Sequence, residues 1–278
     1  MAFPGAQHRP LQSRDIINLC KSTPHFAGNE YGNRLVRISE DLVVKFGLGV
    51  RRQEAENQIY ARRFVDNTKL YIPEVLLFFE AQFSECKMGF LVMEYVNGIN
   101  LESINVQDRP DIAKRTVEAI QHLATIPIPQ QGPGPVGGAS PYGYLWSDDG
   151  AGRTFNCVED MDKWMNTRLK AVNQPPISLA HHPLRMCHMD LVRRNILLLP
   201  NSSLCFVDWA FAGFFPSLFE TYNFRELFYE DKDWFQQLIN LWPKVDDCDE
   251  QILRSLGIIA SVNMRYSFIN CHTELATI

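Results

Sequence analysis

The run from His188 to Trp209 holds the residues whose types and spacing point most directly to chemistry. His188-Met189-Asp190 is followed by Asn195, and Asp208 closes the apolar stretch beyond it. Ile196–Leu199 and Leu204–Val207 are two short apolar runs joined by Pro200-Asn201-Ser202-Ser203, the pattern of a β-hairpin. In a hairpin the start of the first strand lies beside the end of the second, so Asn195 and Asp208 become neighbours. An amide oxygen and a carboxylate held side by side suit Mg²⁺, a hard cation that takes oxygen ligands. Asp190, in the loop entering the same hairpin, can reach a hydroxyl placed near that ion. Each piece is common alone: an H-x-D triplet carries little, and an Asp-Trp pair usually just ends a strand. Their arrangement around one hairpin is what points to a site.

That arrangement is what phosphoryl transfer requires: a positioned γ-phosphate, charge neutralised by metal and lysine, and a base beside the attacking group. The spacing His188 to Asn195 reproduces the H-x-D-x-x-x-x-N of a kinase catalytic loop. Such a site also needs a strand lysine for the α- and β-phosphates and a helical glutamate to hold it. Leu42-Val43-Val44-Lys45-Phe46 is a strand-like segment with one lysine inside it. A lysine there by default snorkels to the wet face. Here Arg51–Asp66 follows at once as a helix with Glu54 and Glu56, which lie about 200° apart on it, so only one can face Lys45. Phe90 to Gly98 reads as a strand leaving the first part of the chain for the second, with Met93 inside it and backbone groups of Glu94 and Val96 offered to an adenine ring.

The elements that must position these groups fall into two lobes, 1–97 and 98–278. The first reads as a short amphipathic helix (Leu11–Cys20), a hairpin (Arg34–Ser39 and Leu42–Phe46), the helix at Arg51–Asp66, and strands at Val75–Phe79 and Gly89–Tyr95. The second opens with a helix over Asp108–Thr125. A Pro/Gly-rich passage from Pro127 to Gly152 follows, expected as a surface excursion of the kind that forms lids. A helix at Cys157–Val172, short strands within Met186–Val207 and helices near 219–229, 231–241 and 249–270 complete it. The fold class is therefore α+β: a small antiparallel-sheet lobe and a mainly helical one.

Composition bounds the function. Hydrophobic residues are 46% and charged residues 21%, enough to bury a core. The net charge of −5 lacks the basic footprint of a nucleic-acid binder. No apolar run is long enough to cross a bilayer, and Met1–Pro10 has no apolar signal region, so no membrane partner and a cytoplasmic location are expected. The seven cysteines are an odd, widely spaced set without C-x-x-C, which fits reduced thiols.

In order, Val-Val-Lys, Glu-Ala-Glu, Val-Met-Glu-Tyr-x-x-Gly, His-x-Asp-x-x-x-x-Asn-Ile-Leu and Val-Asp-Trp-x-x-Ala-Gly resemble the aminoglycoside phosphotransferase family, which has choline kinase-like members and a protein-kinase-like fold. The likeness spans roughly Asn33 to Glu220, and the segment Phe211–Glu220 resembles a variant seen in uncharacterised fungal members. It implies ATP and Mg²⁺ as cofactors. It implies Asp190 as catalytic base, Asn195 and Asp208 as metal ligands, Lys45 as the phosphate lysine and Glu54 as its partner. The chain departs from the family at Met189, where many members have Gly, and at Arg193, where many have Pro. Arg193 is thus a cation near the reacting phosphate, able to stabilise transferred charge or to pair with an acidic neighbour. No G-x-G-x-x-G is present, and Gly28–Asn33 is the candidate loop over the phosphates.

The expected acceptor is a hydroxyl of a small molecule. Trp209 is a candidate pocket floor, and Glu220, Glu226, Glu230, Asp231 and Asp233 would suit a cationic amine, unless they are a solvated helix face. A protein kinase is disfavoured: no Ala-Pro-Glu follows Asp208, and too little chain remains for a peptide-docking lobe. The alternative from another class is a kinase-fold protein that binds nucleotide or metabolite without transferring phosphate, or that has been repurposed. A metal hydrolase on His181, His182, Cys187 and His188 lacks H-E-x-x-H, and a serine hydrolase lacks G-x-S-x-G.

Overall fold

The computed structural model describes residues 12–30, 32–147 and 149–266. Leu11, the N-terminal decapeptide, residues 267–270 of the expected last helix, and Cys271 lie outside them. The first helix, α1, spans Ser13–Ser22, with Asp15 in its first turn, Lys21 in its last, and Ile16 and Cys20 one turn apart on its buried face. Strands β1 (Ala27–Gly28), β2 (Arg34–Arg37) and β3 (Leu42–Gly47) lead into helix α2 (Arg52–Phe64), followed by β4 (Val75–Phe83) and β5 (Cys86–Glu94). The five strands form one antiparallel sheet in the order β1-β2-β3-β5-β4.

The two-residue period of β3 decides which face sees what. Val44 and Phe46 point to the α1 side, packed with Ile16, Cys20 and Phe90. Val43 points to the α2 side, packed with Ala55, Leu91 and Met93, and Lys45 shares that face. Strands β4 and β5 are longer than the sequence pattern suggested. They pair out to Phe83 and Cys86 across a two-residue turn in which Ser84 adopts φ 55°. The polar residues there face solvent on an edge hairpin, so they weaken the hydrophobic pattern without ending the strands.

Beyond β5 come β6 (Ile99–Asn100), α3 (Pro110–Leu123), α4 (Val158–Ala171), β7 (Leu184–Cys187), β8 (Ile196–Leu198), β9 (Leu204–Phe206) and β10 (Gly213–Pro216). Helices α5 (Leu218–Glu226), α6 (Lys232–Leu241) and α7 (Asp247–Arg265) follow. β8 and β9 form the expected hairpin, extended by β6, while β7 pairs with β10 instead of joining it. One core gathers α3 and α6 around Met186, Leu191 and Trp234; a second gathers α4, α5 and α7 around Trp146, Trp164 and Phe219. The architecture is the two-lobed, protein-kinase-like α+β fold.

The Pro/Gly passage is not a surface excursion. Leu145 and Trp146 are fully buried, and Gly134 makes a β-bridge with Phe214. Its backbone is also tied to α2: Val136 N–H donates to Asn57 Oδ1 at 2.8 Å and Gln53 Nε2 donates to the Ser140 carbonyl at 3.3 Å. Proline and glycine prevent regular structure but not burial, and two large apolar side chains anchor the passage. Among the described residues no helix is long and apolar enough to cross a membrane.

Candidate active site

Lys45 lies between two carboxylates. Its Nζ donates to Glu54 Oε1 and to Asp208 Oδ1, both at 2.7 Å. Of the two helical glutamates Glu54 is the one turned inward, fully buried on the α2 face that covers Val43 and Lys45. Glu56 turns to the Pro/Gly passage, where its carboxylate closes on Gly137. Burial is the largest influence on all three groups. It pushes Glu54 up to about 7 against the pull of Lys45. On Lys45 the opposing carboxylates outweigh burial and hold it above its ordinary value, and on Asp208 the ammonium outweighs burial and holds it below. Lys45 and Asp208 are therefore charged.

Asp208 sits at φ 66°, a left-handed conformation unusual for a non-glycine residue. The turn that holds it there is bonded on both sides: Trp209 Nε1 donates to the Phe206 carbonyl at 3.2 Å, and Asn57 Nδ2 donates to the carbonyls of Trp209 (3.1 Å) and Ala212 (2.7 Å). Asn57 is fully buried, so α2 is riveted to the turn that carries Asp208, and Glu54 and Asp208 reach Lys45 as one unit.

The hairpin geometry puts Asn195 at the same place. Val207 N–H donates to the Asn195 carbonyl at 3.0 Å, one residue before Asp208. Asn195 Nδ2 in turn holds Asp190, donating to its backbone carbonyl and to Oδ2, both at 2.9 Å. The other carboxylate oxygen, Oδ1, accepts from the Tyr144 hydroxyl at 3.3 Å and lies 3.7 Å from an Arg194 guanidinium nitrogen. Burial first, and the Asp208 charge second, push Asp190 up to about 6, against the pull of Arg194.

The loop carrying Asp190 is strained too, with Met189 at φ 66° where glycine would be at ease. Glu220 pins it: its carboxylate accepts from the backbone N–H of His188 at 2.7 Å and of Met189 at 3.3 Å. His188 is fully buried against Phe206 and Trp209, its Nε2 3.2 Å from the Val207 carbonyl. Burial drives the imidazole down to about 4, so it is neutral at pH 7. An unfolded histidine takes up its proton near pH 6.5, whereas the folded site refuses it until about 4. This contribution is complete above about pH 6.5 and is lost as the pH falls toward 4, about 3 kcal/mol in all. Urea unfolding of the wild type and His188→Gln at about pH 4.5 and about pH 7.5 measures it. The wild type should lose more stability than the variant on acidification; parallel losses would remove His188 from the balance.

Two expectations change, and the alternative left open for Arg193 is decided. Arg193 does not face the reaction centre: its guanidinium pairs with Asp231 and donates to the carbonyls of Leu101 (3.4 Å) and Ile104 (2.9 Å), tying the loop to the segment Leu101–Ile104. Trp209 is fully buried beside His188 and floors no pocket. Glu220 is buried on the catalytic-loop backbone and is not presented to an acceptor. Of the other acidic residues, Glu226 accepts from Tyr222, Asp231 takes Arg193 and caps α6, Glu230 lies 3.6 Å from Arg194, and Asp233 is exposed in the first turn of α6.

At the hinge, Met93 is buried in β5, paired with Val43. Glu94 N–H is taken by the Glu74 carbonyl at 2.8 Å, so Glu94 can offer adenine only its acceptor side. Val96 N–H has no hydrogen bond among the described residues and is half-buried. The sequence reading passed over Tyr144, Asn57 and Arg194. Tyr144 lies in an aperiodic passage and Asn57 is one polar residue among many on α2, so no spacing marks them; Arg194 stood in the open within the catalytic-loop spacing.

Among the described residues no cluster of three or more His, Cys, Asp or Glu could hold a metal by itself. The residues present nonetheless fit a magnesium ion shared with a nucleotide. The Asn195 amide oxygen carries no hydrogen bond among the described residues once its nitrogen is committed to Asp190. The Asp208 carboxylate is 34% exposed, beside it in the hairpin. Mg²⁺ commonly takes one or two protein oxygens and completes its shell with phosphates and water.

A buried lysine–glutamate pair and an Asp/Asn/Asp set on a kinase-like fold define a phosphotransferase. Residues 25–242 match the model of the phosphotransferase enzyme family, and the chain belongs to that family. Among solved structures it is similar to an aminoglycoside phosphotransferase, APH(4)-Ia (17% identity, 91% of this chain and 89% of that chain, TM-score 0.57). It is likewise similar to a thermostable mutant of that enzyme in apo form (17%, 89% and 88%, 0.56). A spectinomycin phosphotransferase, APH(9)-Ia, in complex with ADP and spectinomycin, is a third (14%, 92% and 88%, 0.53). No curated protein sequence matches the chain.

Proposed function

We propose that the protein is an ATP- and Mg²⁺-dependent phosphotransferase that moves the γ-phosphate to a hydroxyl of a small molecule. The nucleotide is held by residues 1–97 and the reaction carried by residues 98–278. The observation that carries this reading is the convergence of Lys45, Asp208, Asn195 and Asp190, from distant parts of the chain, around one hairpin. Bound Mg-ATP supplies the transferable phosphoryl group and the divalent charge that screens it. Lys45, fixed by Glu54, holds the α- and β-phosphates with its ammonium. Asn195 and Asp208 hold the metal. The Glu94 carbonyl and Val96 N–H hold the adenine, with Met93 behind them. Asp190 takes the proton of the acceptor hydroxyl as its oxygen bonds to phosphorus and the bond to ADP breaks.

The groups whose loss would mark a non-transferring relative, Lys45, Asp190 and Asp208, are all present and assembled. Six described cysteines are free, which suits a reducing cytoplasm. Nucleotide linkage tests the reading: at a hundred times its Kd, Mg-ATP stabilises by about 2.7 kcal/mol, which for a chain of this size raises the Tm by roughly 5–10 °C. A Tm indifferent to millimolar Mg-ATP would reject nucleotide binding.

A further inference from the structure

The oxygen of Asp190 left free by Asn195 is Oδ1, and an acceptor hydroxyl must approach it between the Tyr144 hydroxyl and the Arg194 guanidinium. The two arginines of this loop have different employments. Arg193 is spent on Asp231 and two backbone carbonyls. Arg194 is 48% exposed; its guanidinium interacts with the Tyr144 hydroxyl, and its ion-pair contacts are with Asp190 at 3.7 Å and Glu230 at 3.6 Å, both longer than hydrogen bonds. An ion pair as open as Arg194–Glu230 is worth little and is easily exchanged for a better partner. A guanidinium presents a planar fork that matches a carboxylate in two parallel hydrogen bonds. Of the nearby carboxylates, Glu220 is engaged on backbone N–H groups, Asp231 on Arg193 and Glu226 on Tyr222, while Glu230 is opposed by the Arg194 charge itself.

We propose that the acceptor is a hydroxy acid, whose carboxylate docks on Arg194 in place of Glu230 while its hydroxyl lies on Asp190 Oδ1. This rests on the phosphoryl-transfer reading above and names the substrate class of the same site. The product is the phosphate ester of the hydroxy acid; ATP leaves as ADP and the hydroxyl proton passes to Asp190.

The test is ADP release by the full chain with Mg-ATP against β-hydroxy acids, their primary amides and the corresponding γ-amino alcohols. Acids should be used with the highest kcat/KM. The acid-over-amide ratio should fall roughly 10- to 100-fold in Arg194→Gln, the loss expected for hydrogen bonds to a charged group, and recover in part in Arg194→Lys. Turnover of amino alcohols in preference to acids overturns this inference and leaves phosphoryl transfer standing. So does an acid-over-amide ratio unmoved in Arg194→Gln, or an increase in KM for ATP shared by every acceptor, which would assign the guanidinium to the nucleotide. No ADP release with any class, while Mg-ATP still raises the Tm, overturns phosphoryl transfer and this inference with it.

Discussion

Asp190→Asn should lower kcat by about 10² to 10⁴, the range of a lost general base, and leave the Mg-ATP-induced rise in Tm nearly intact. The substitution keeps the shape and removes the ability to take a proton. The amide oxygen can still accept from Asn195 Nδ2, which now serves Oδ2 at 2.9 Å, so the loop stays in place. Asp190 is not bonded to Lys45, whose partners are Glu54 and Asp208, so the phosphate-binding end of the site should not register the change. The neutral amide also removes a carboxylate whose charged form burial disfavours, so stability should hold or rise. The checks are ADP release and thermal unfolding with and without Mg-ATP. A variant that turns over the natural acceptor at the wild-type rate would remove Asp190 from the chemistry.

Lys45→Met and Asp208→Asn should differ sharply in stability, and both should impair nucleotide binding. The centre holds one ammonium between two carboxylates, with Lys45 and Glu54 buried and Asp208 partly open to solvent. Removing Lys45 leaves two carboxylates facing each other, one with no route to water. Breaking a buried pair in this way costs about 3–5 kcal/mol. Removing the Asp208 charge instead leaves a balanced Lys45–Glu54 pair at 2.7 Å, so the apo protein should be as stable as wild type or more so. Asp208→Asn should lose the Mg²⁺-dependent part of nucleotide binding, and Lys45→Met should weaken nucleotide binding with or without Mg²⁺. Denaturant unfolding gives the first contrast, and titration of ATP with and without Mg²⁺ gives the second. Equal destabilisation by the two substitutions would show that the charges do not act as the triad the distances describe.

The legible part of the site was the part written in local order. Asp190, Asn195 and Asp208 could be placed together because a hairpin converts sequence spacing into contact by a fixed rule, and the ladder bond from Val207 to Asn195 obeys it. Lys45 was legible as a lysine in an apolar strand, and the choice between Glu54 and Glu56 reduced to helix geometry that only the packing of α2 could resolve. The Pro/Gly passage was misread because those residues report the absence of regular structure, not exposure. Arg193, Trp209 and Glu220 were drawn toward the acceptor by their nearness in sequence to Asp190 and Asp208. Their side chains instead serve backbone and core, holding the catalytic loop and the Asp208 turn in left-handed conformations.

The short strands β1, β6 and β10 aside, the amino-acid order by itself determined the main helices and longer strands of the lobes, the catalytic hairpin and the chemical types brought to it. These depend on periodicity and spacing, which are local. Only the tertiary structure decided that Tyr144 reaches Asp190, that Asn57 fastens α2 to the Asp208 turn, and that Arg194 turns to Tyr144, Asp190 and Glu230 while Arg193 turns to Asp231. Those outcomes join residues far apart in the chain. They depend on which buried polar group finds a partner, and that is settled only when every neighbouring surface is in place.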